Sequence, residues 1–251
     1  MNRKYGWKRD YHDSRDMRLL ALPMPEFREI DLRPGCPPIY DQGNIGSCVA
    51  NALCLAAGYD IRLPLSRQFL YWNARKMEGL ECEDSGCRIR DAIKSFASIG
   101  VCPERAWPYS VYWATPPAYG TYGEAKYFKA VKYRRVPKSR HGLLSALVMG
   151  HPVVLGIQVY RSFESDFTRD TGAARLPFRG DKYRGGHAIT IVGSVLIEEH
   201  EGVEGPHWYR FANSWGTEWG DNGFGVISEE YLLSDLSEDW WVVESIELPN
   251  D

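Results

Sequence analysis

"DQGNIGSCVANAL", residues 41–53, decides how this chain is read. Turn-forming residues end at Gly46, and Ser47 stands where a helix N-cap would stand. From Cys48 to Tyr59 the sequence is rich in Ala and Leu and apolar nearly all round, which predicts a buried helix. A cysteine at the start of such a helix has three possible fates. It is a buried bystander, half of a disulfide, or a nucleophile whose thiolate is favoured by the unsatisfied N–H groups and dipole of the helix end. The stretch alone leaves all three open.

Outward from it, "SRQFLYWNARKM" (66–77) reads as a second helix, again opening on a serine. "RIRDAIKSFASIG" (88–100) reads as a third, with Ile89, Ile93, Phe96 and Ala97 on one face and Gly100 as its stop. Residues 24–46 carry prolines and turn residues and should be extended. Residues 101–127 should be loop. Beyond them the period changes. "FKAVKYRRV" (128–136) alternates like a strand and "SRHGLLSALVMG" (139–150) is a short helix. "PVVLGIQVY", "HAITIVGSVLI", "HWYRFANSW", "GFGVIS" and "DWWVVESIEL" read as strands, several bounded by glycine. A mainly helical first half and a mainly β second half predict an α+β protein of two lobes. Residues 1–23, charged and aromatic without apolar periodicity, read as an arm. The basic run "KYRRVPKSRH" (132–141) reads as a solvated face.

A chain of 251 residues with 44% hydrophobic content has enough apolar surface for a substantial core. Its 30 Lys and Arg against 33 Asp and Glu leave a net charge of -3, which gives no reason to expect nucleic acid or an anionic membrane as partner. No segment approaches the length of a membrane helix, and "MNRKYGWKRDYHDSRD" is too polar for a secretory leader. A cytoplasmic chain is expected, or one exported by a route that uses no N-terminal Sec signal. The cysteines at 36, 48, 54, 82, 87 and 102 leave the β-rich half without any, whereas a disulfide-stapled fold spreads its bridges more widely. Reduced thiols are therefore expected. Cys82, Cys87 and Cys102 lack a fourth ligand at a familiar zinc spacing, so no metal is expected.

Three further stretches bear on Cys48. "RGGHAITIVG" places His187 where two glycines meet an apolar strand, and glycines let another backbone or a substrate come close. "FANSWGTEWGDNGFG" places Asn213 at a strand end, before a loop of Trp, Gly and Asp. Gln42 lies on the loop that leads to the helix. Together these residues resemble the papain-type cysteine peptidase family. Ile45-Gly46-Ser47-Cys48-Val49 agrees at three of five positions with the family's signature C-G-[SA]-C-[WY]. His187 follows Cys48 by 139 residues, inside the family's range of roughly 130–150, and Asn213 follows by 165, a little beyond it. "NSWGTEWGDNGFG" (213–225) is very close to the family's Asn-box. "PEF" (25–27) and "DLR" (31–33) resemble the start of its mature enzyme.

The resemblance covers residue 24 to the C-terminus and implies a papain-like fold. A helical left lobe (24–127) would carry Cys48, a β-barrel-like right lobe (128–251) would carry His187 and Asn213, and the cleft would lie between them. It implies that Cys48 is the nucleophile and His187 the general base and acid, with Asn213 orienting the imidazole. Gln42 and the backbone N–H of Cys48 would be the oxyanion donors. Trp215 would cover the Asn–His contact, and Gly86, Cys87, Arg88 and Gly186 would lie along the bound peptide. A thiolate–imidazolium pair is then expected before substrate binds. The implied reaction is endo- or exopeptidase hydrolysis through a thioester, on a peptide or protein substrate, by a monomer without cofactor. Acyl transfer to an amine, or a slow binding module that keeps the fold, would use the same residues.

The chain also departs from the family. Members usually carry a cysteine where Ile45 stands, bridged to a position that Cys87 resembles, so the scaffold is expected to hold by packing alone. Val49 replaces an aromatic residue, which is expected to widen the primed side. "GCRIR" (86–90) replaces a glycine pair, and Arg88 or Arg90 is expected to bring positive charge to the non-primed subsites. Tyr5, Trp7 and Tyr11 are good anchors for a groove, so the arm is expected to pack on the body and partly cover the cleft.

Overall fold

The apolar run after Gly46 forms helix α1 (Cys48–Ile61), buried at every residue from Cys48 to Gly58. Ser47 precedes it but does not cap it: its hydroxyl meets the phenol of Tyr109 and the amide of Asn51 instead. The second serine behaves as expected, with Ser66 Oγ accepting the Phe69 N–H at the start of α2 (Arg67–Met77). The computed structural model that gives this fold describes residues 3–23, 26–197 and 206–248; Pro25, part of the "PEF" match, lies outside them.

The arm supplies strand β1 (Trp7–Lys8), and β2 (Ile30–Asp31) follows it. After α2 come the short strand β3 (Cys87–Arg88), α3 (Ile89–Ser98) and α4 (Tyr119–Ala125). The second half runs β4 (Lys129–Arg135), α5 (Arg140–Val148), β5 (Val153–Tyr160), α6 (Asp166–Thr171) and β6 (Ala173–Ala174). It continues with β7 (Tyr183–Leu196), β8 (His207–Ala212), β9 (Phe224–Ser228), α7 (Glu229–Leu233) and β10 (Ser237–Glu247). This is the α+β, two-lobe arrangement expected. Helix α4 lies in a stretch read as loop; its Gly-rich sequence has poor helix propensity, and burial of Thr121 and Ala125 decides its conformation.

Strand order in the main sheet is β4-β10-β5-β7-β8-β9-β6, with β2 added on β7. Among the described residues this sheet is open, so the right lobe is not a closed barrel. Its strands separate two cores by alternation. Ala188 and Val192 of β7, with Trp241 and Val243 of β10, face the core around α1. Ile189 and Ile191, with Trp240 and Val242, face a second core that includes α5.

Packing alone does not hold the left lobe. Arg75 of α2 is fully buried and bonds four main-chain carbonyls, those of Tyr71, Glu81, Glu83 and Trp113, with its guanidinium 4.0 Å from the Tyr71 ring centre. A buried cation is tolerated when its donors are satisfied in this way. It ties the loop before β3 to the helix behind it.

The arm lies on the body along its described length. Trp7 and Lys8 pair with β3. Asp10 and Asp16 then meet Arg135 at 2.9 and 2.7 Å, and Asp16 also meets Arg90. Beyond these, Met17 and Leu19 exchange backbone hydrogen bonds with Arg135, and Leu19 enters the second core. Arg135, read as part of a solvated basic face, is an anchor for three carboxylates, Asp239 being the third.

Candidate active site

Three elements meet at the site. Cys48 is the first residue of α1, His187 sits on β7, and Asn213 follows the last residue of β8, so helix, strand and strand end each hold one side chain. The imidazole Nε2 and Asn213 Oδ1 are 2.9 Å apart. The Ser214 N–H donates to the same oxygen at 2.8 Å. That bond fixes which way the amide faces, and therefore places the imidazole proton on Nε2. Nδ1 is left as the basic nitrogen, buried and without a hydrogen-bond partner among the described residues. The backbone of Ala188, the residue after His187, lies close enough to the Cys48 thiol to draw its pKa down, which sets strand β7 beside the start of α1.

Ser214 also fixes Gln42. Its hydroxyl donates to Gln42 Oε1 at 2.6 Å, while the Gln42 N–H donates to Ser214 O at 2.9 Å. Nε2 of Gln42 is thereby aimed at two carbonyls, Ile45 O at 2.8 Å and Lys4 O of the arm at 3.1 Å. Trp215 packs on His187 with ring centres 5.2 Å apart and is itself buried, so it shields the His–Asn contact from water.

The arm occupies the groove beside these residues. β1 and β3 run parallel, Trp7 opposite Cys87 and Lys8 opposite Arg88, and the Cys87 N–H donates to Gly6 O at 2.9 Å. Two glycines permit the approach: a Cβ on Gly6 would lie 1.8 Å from Gly46 O, and one on Gly86 would lie 2.1 Å from Gly6 O. The Trp7 indole lies over Gly156 and Gly186 and donates to Asp239 at 3.2 Å. Tyr5 stands edge-on to His187 and donates to Glu164 at 2.7 Å. Arg3 reaches Asp41 at 2.8 Å and Trp215 O at 3.1 Å.

Cys48 and His187 are both fully buried beneath this cover. Burial pushes the Cys48 thiol up, against hydrogen bonds from the backbone of Ala188, Gly6, Val49 and Trp7 that pull it down. Burial likewise drives His187 down to about 4, opposed by its bond to Asn213 and aided by the charge of Arg3. Burial beneath the arm thus works against the charge of each group taken singly, the thiolate and the imidazolium alike.

The other residues singled out by sequence fall on either side of the groove. Gly86, Cys87 and Gly186 line it, touching Gly6 and Trp7. Arg88 pairs with Glu78 at 3.2 Å and stacks on Tyr11, and Arg90 is held by arm carboxylates. Their charge is neutralised, so they do not present the free positive charge expected of them. Val49 is fully buried in the core around α1 and does not line the groove. Sequence reading missed Ser214, whose signal was its place inside the Asn-box. It also missed Tyr109, Glu164 and Asp239, which come from distant elements and carry no local signal. No group of three or more His, Cys, Asp or Glu that would hold a metal occurs among the described residues.

The chain matches the family model for papain family cysteine protease over residues 27–236. A peptidase C1-like protein of Acanthamoeba polyphaga mimivirus is 33% identical over 89% of this chain and 75% of its own length. A cathepsin B-like protein of Giardia intestinalis is 26% identical over 80% of this chain and 66% of its own. Among solved structures, xylellain, a cysteine protease from Xylella fastidiosa, superposes with a TM-score of 0.84 at 32% identity, covering 99% of this chain and 97% of that one.

Proposed function

This chain belongs to the papain family of cysteine proteases, and from that premise we propose which residues do the chemistry and what the arm does to them. The protein is a cysteine peptidase that acts on peptide or protein substrates. His187 Nδ1 takes the Cys48 proton, and the thiolate attacks the scissile carbonyl. Gln42 Nε2 and the Cys48 N–H bind the oxyanion. His187 returns the proton to the leaving amine, and a thioester remains. Water, activated by the same nitrogen, releases the acid. The observation that carries this assignment is the Ser214-fixed tautomer, which leaves the basic Nδ1 unbonded one residue from a backbone contact to the sulfur. Acid quenching during turnover of a peptide ester tests it. Mass spectrometry should find the acyl group on the peptide containing Cys48, and turnover with the acyl group elsewhere would overturn the assignment.

The full chain is held inactive by residues 3–10. Lys4 O takes the donor that an oxyanion would need, and the Gly6 and Trp7 backbone occupies the sulfur. The arm thus covers the sulfur and one oxyanion donor together.

Docking should depend on pH through Asp10. In the docked arm this carboxyl faces Asp239, Arg135, the Arg90 N–H and the Trp241 indole. Burial first, and then the Asp239 charge, push it from 3.8 up to about 6. A raised pKa means that the docked state binds the extra proton. Its contribution is fully present below about 3.8 and is lost as pH rises through about 6. The Cys48–His187 pair adds little near neutrality, since neutral pair and ion pair hold the same one proton. The rate of the full chain divided by that of Asp10→Asn should therefore rise about tenfold from pH 5 to pH 7.5. A flat ratio would remove Asp10 from the account.

A further inference from the structure

Ile45 stands where the family resemblance implies a bridged cysteine, and Cys87 is a free thiol, so no disulfide joins the nucleophile turn to the adjoining wall of the groove. Here a carboxylate and a phenol stand in the gap. Asp84, with 5% of its side chain exposed, accepts the Gly46 N–H at 3.0 Å and the Tyr71 hydroxyl at 2.6 Å, both on Oδ1. The Tyr71 oxygen in turn accepts the Gly86 N–H at 3.0 Å. Gly46 lies two residues before Cys48, and its turn begins at Gln42. Gly86 opens the strand edge on which the arm, and by the proposed reading the substrate, forms backbone hydrogen bonds. A Cβ on Gly46 would stand 3.3 Å from Asp84 Oδ1 and 3.4 Å from the Tyr71 oxygen, so the fit leaves no room for slack. Arg75 holds the same loop from behind through Glu81 O and Glu83 O.

We propose that Asp84 and Tyr71 are positioning residues of the peptidase site. Together they set the spacing between the oxyanion turn and the strand edge that holds the substrate backbone. Charge-assisted and buried, the Asp84 bonds have the strength to do so where water cannot compete. The remaining oxygen, Asp84 Oδ2, takes Lys4 of the arm at 2.7 Å, so the docked arm is gripped by the element that aligns the site. This rests on the assignment of Cys48 and Gln42 made above.

The test compares two reactions of the same sulfur in the full chain: kcat/KM for a peptide substrate, and the second-order rate of alkylation by iodoacetamide. Arm opening and loss of folded protein scale both rates alike, so their ratio removes them. Iodoacetamide needs neither the strand edge nor the oxyanion donors. Tyr71→Phe should lower the peptide-to-alkylation ratio about 10- to 100-fold, the cost expected of a misplacement on the order of 1 Å. Asp84→Ala should do the same. Asp84→Asn, whose amide oxygen accepts both bonds, should recover the ratio to within about threefold while both rates rise as Lys4 is released. An unchanged ratio in Tyr71→Phe overturns the proposal even if Asp84→Ala fails to fold. A wild-type chain that alkylates but turns over no peptide would instead overturn the peptidase assignment.

Discussion

Replacing Gly6 with valine should raise the peptidase rate of the full chain by about 10- to 100-fold, since overpacking costs about 1–3 kcal/mol and each 1.4 kcal/mol is tenfold. The side chain has nowhere to go: its first carbon would sit 1.8 Å from the carbonyl oxygen of Gly46. That oxygen belongs to the turn before α1, held on its far side by Asp84. The arm is the softer partner and moves. Its grip elsewhere, through Asp10, Asp16 and Leu19, involves the outer wall and not the sulfur. The variant thus uncovers Cys48 while leaving the body intact. Initial rates on a peptide substrate at equal protein concentration read the effect directly. A Gly6→Val chain no faster than the parent, with a displaced arm shown by hydrogen exchange at Cys87, would mean that the arm is no inhibitor.

Gln42→Ala should have the opposite sign and a larger size. Introduced into the Gly6→Val chain, so that the bond to Lys4 O plays no part, it should lower kcat by about 10²–10³. Gln42 Nε2 is one of two donors assigned to the developing oxyanion, and its aim is fixed at both ends. The Ser214 hydroxyl holds Oε1 and Ile45 O takes one hydrogen, which leaves the other free for substrate once the arm has gone. Because the donor acts on charge that appears only in the transition state, KM should move little. A loss expressed wholly in KM would make Gln42 a ground-state contact and take it out of the chemistry.

What could be read from the sequence, and what could not, divides along contact distance. Helix α1, strand β7 and the strand end before Asn213 are local patterns, and the chain folds them where their periodicity puts them. The order of Gln42, Cys48, His187 and Asn213 is likewise read along the chain, and the fold brings His187 to Asn213 and Gln42 to Ser214 in hydrogen bonds. Ser47 has the composition of a cap, yet a tyrosine 62 residues away takes its hydroxyl. Arg90 reads as subsite charge and Arg135 as solvated charge because their partners, Asp10 and Asp16, lie 74 to 125 residues away. Helix α4 has the local chemistry of a turn and becomes helical through burial of Thr121 and Ala125. The arm was legible as aromatic anchors, but not its parallel direction. That depends on Gly6 and Gly86 meeting across the groove, and glycine carries no pattern of its own.

The guanidinium clamp of Arg75 has a chemical consequence for how such an enzyme works. A thiol nucleophile needs reductant to stay competent, and reductant cleaves any cystine crosslink that braces a protein. Here the bracing consists of hydrogen bonds to carbonyls that no electron donor can cut. Conditions that keep the sulfur alive therefore leave the frame around it as stiff as before.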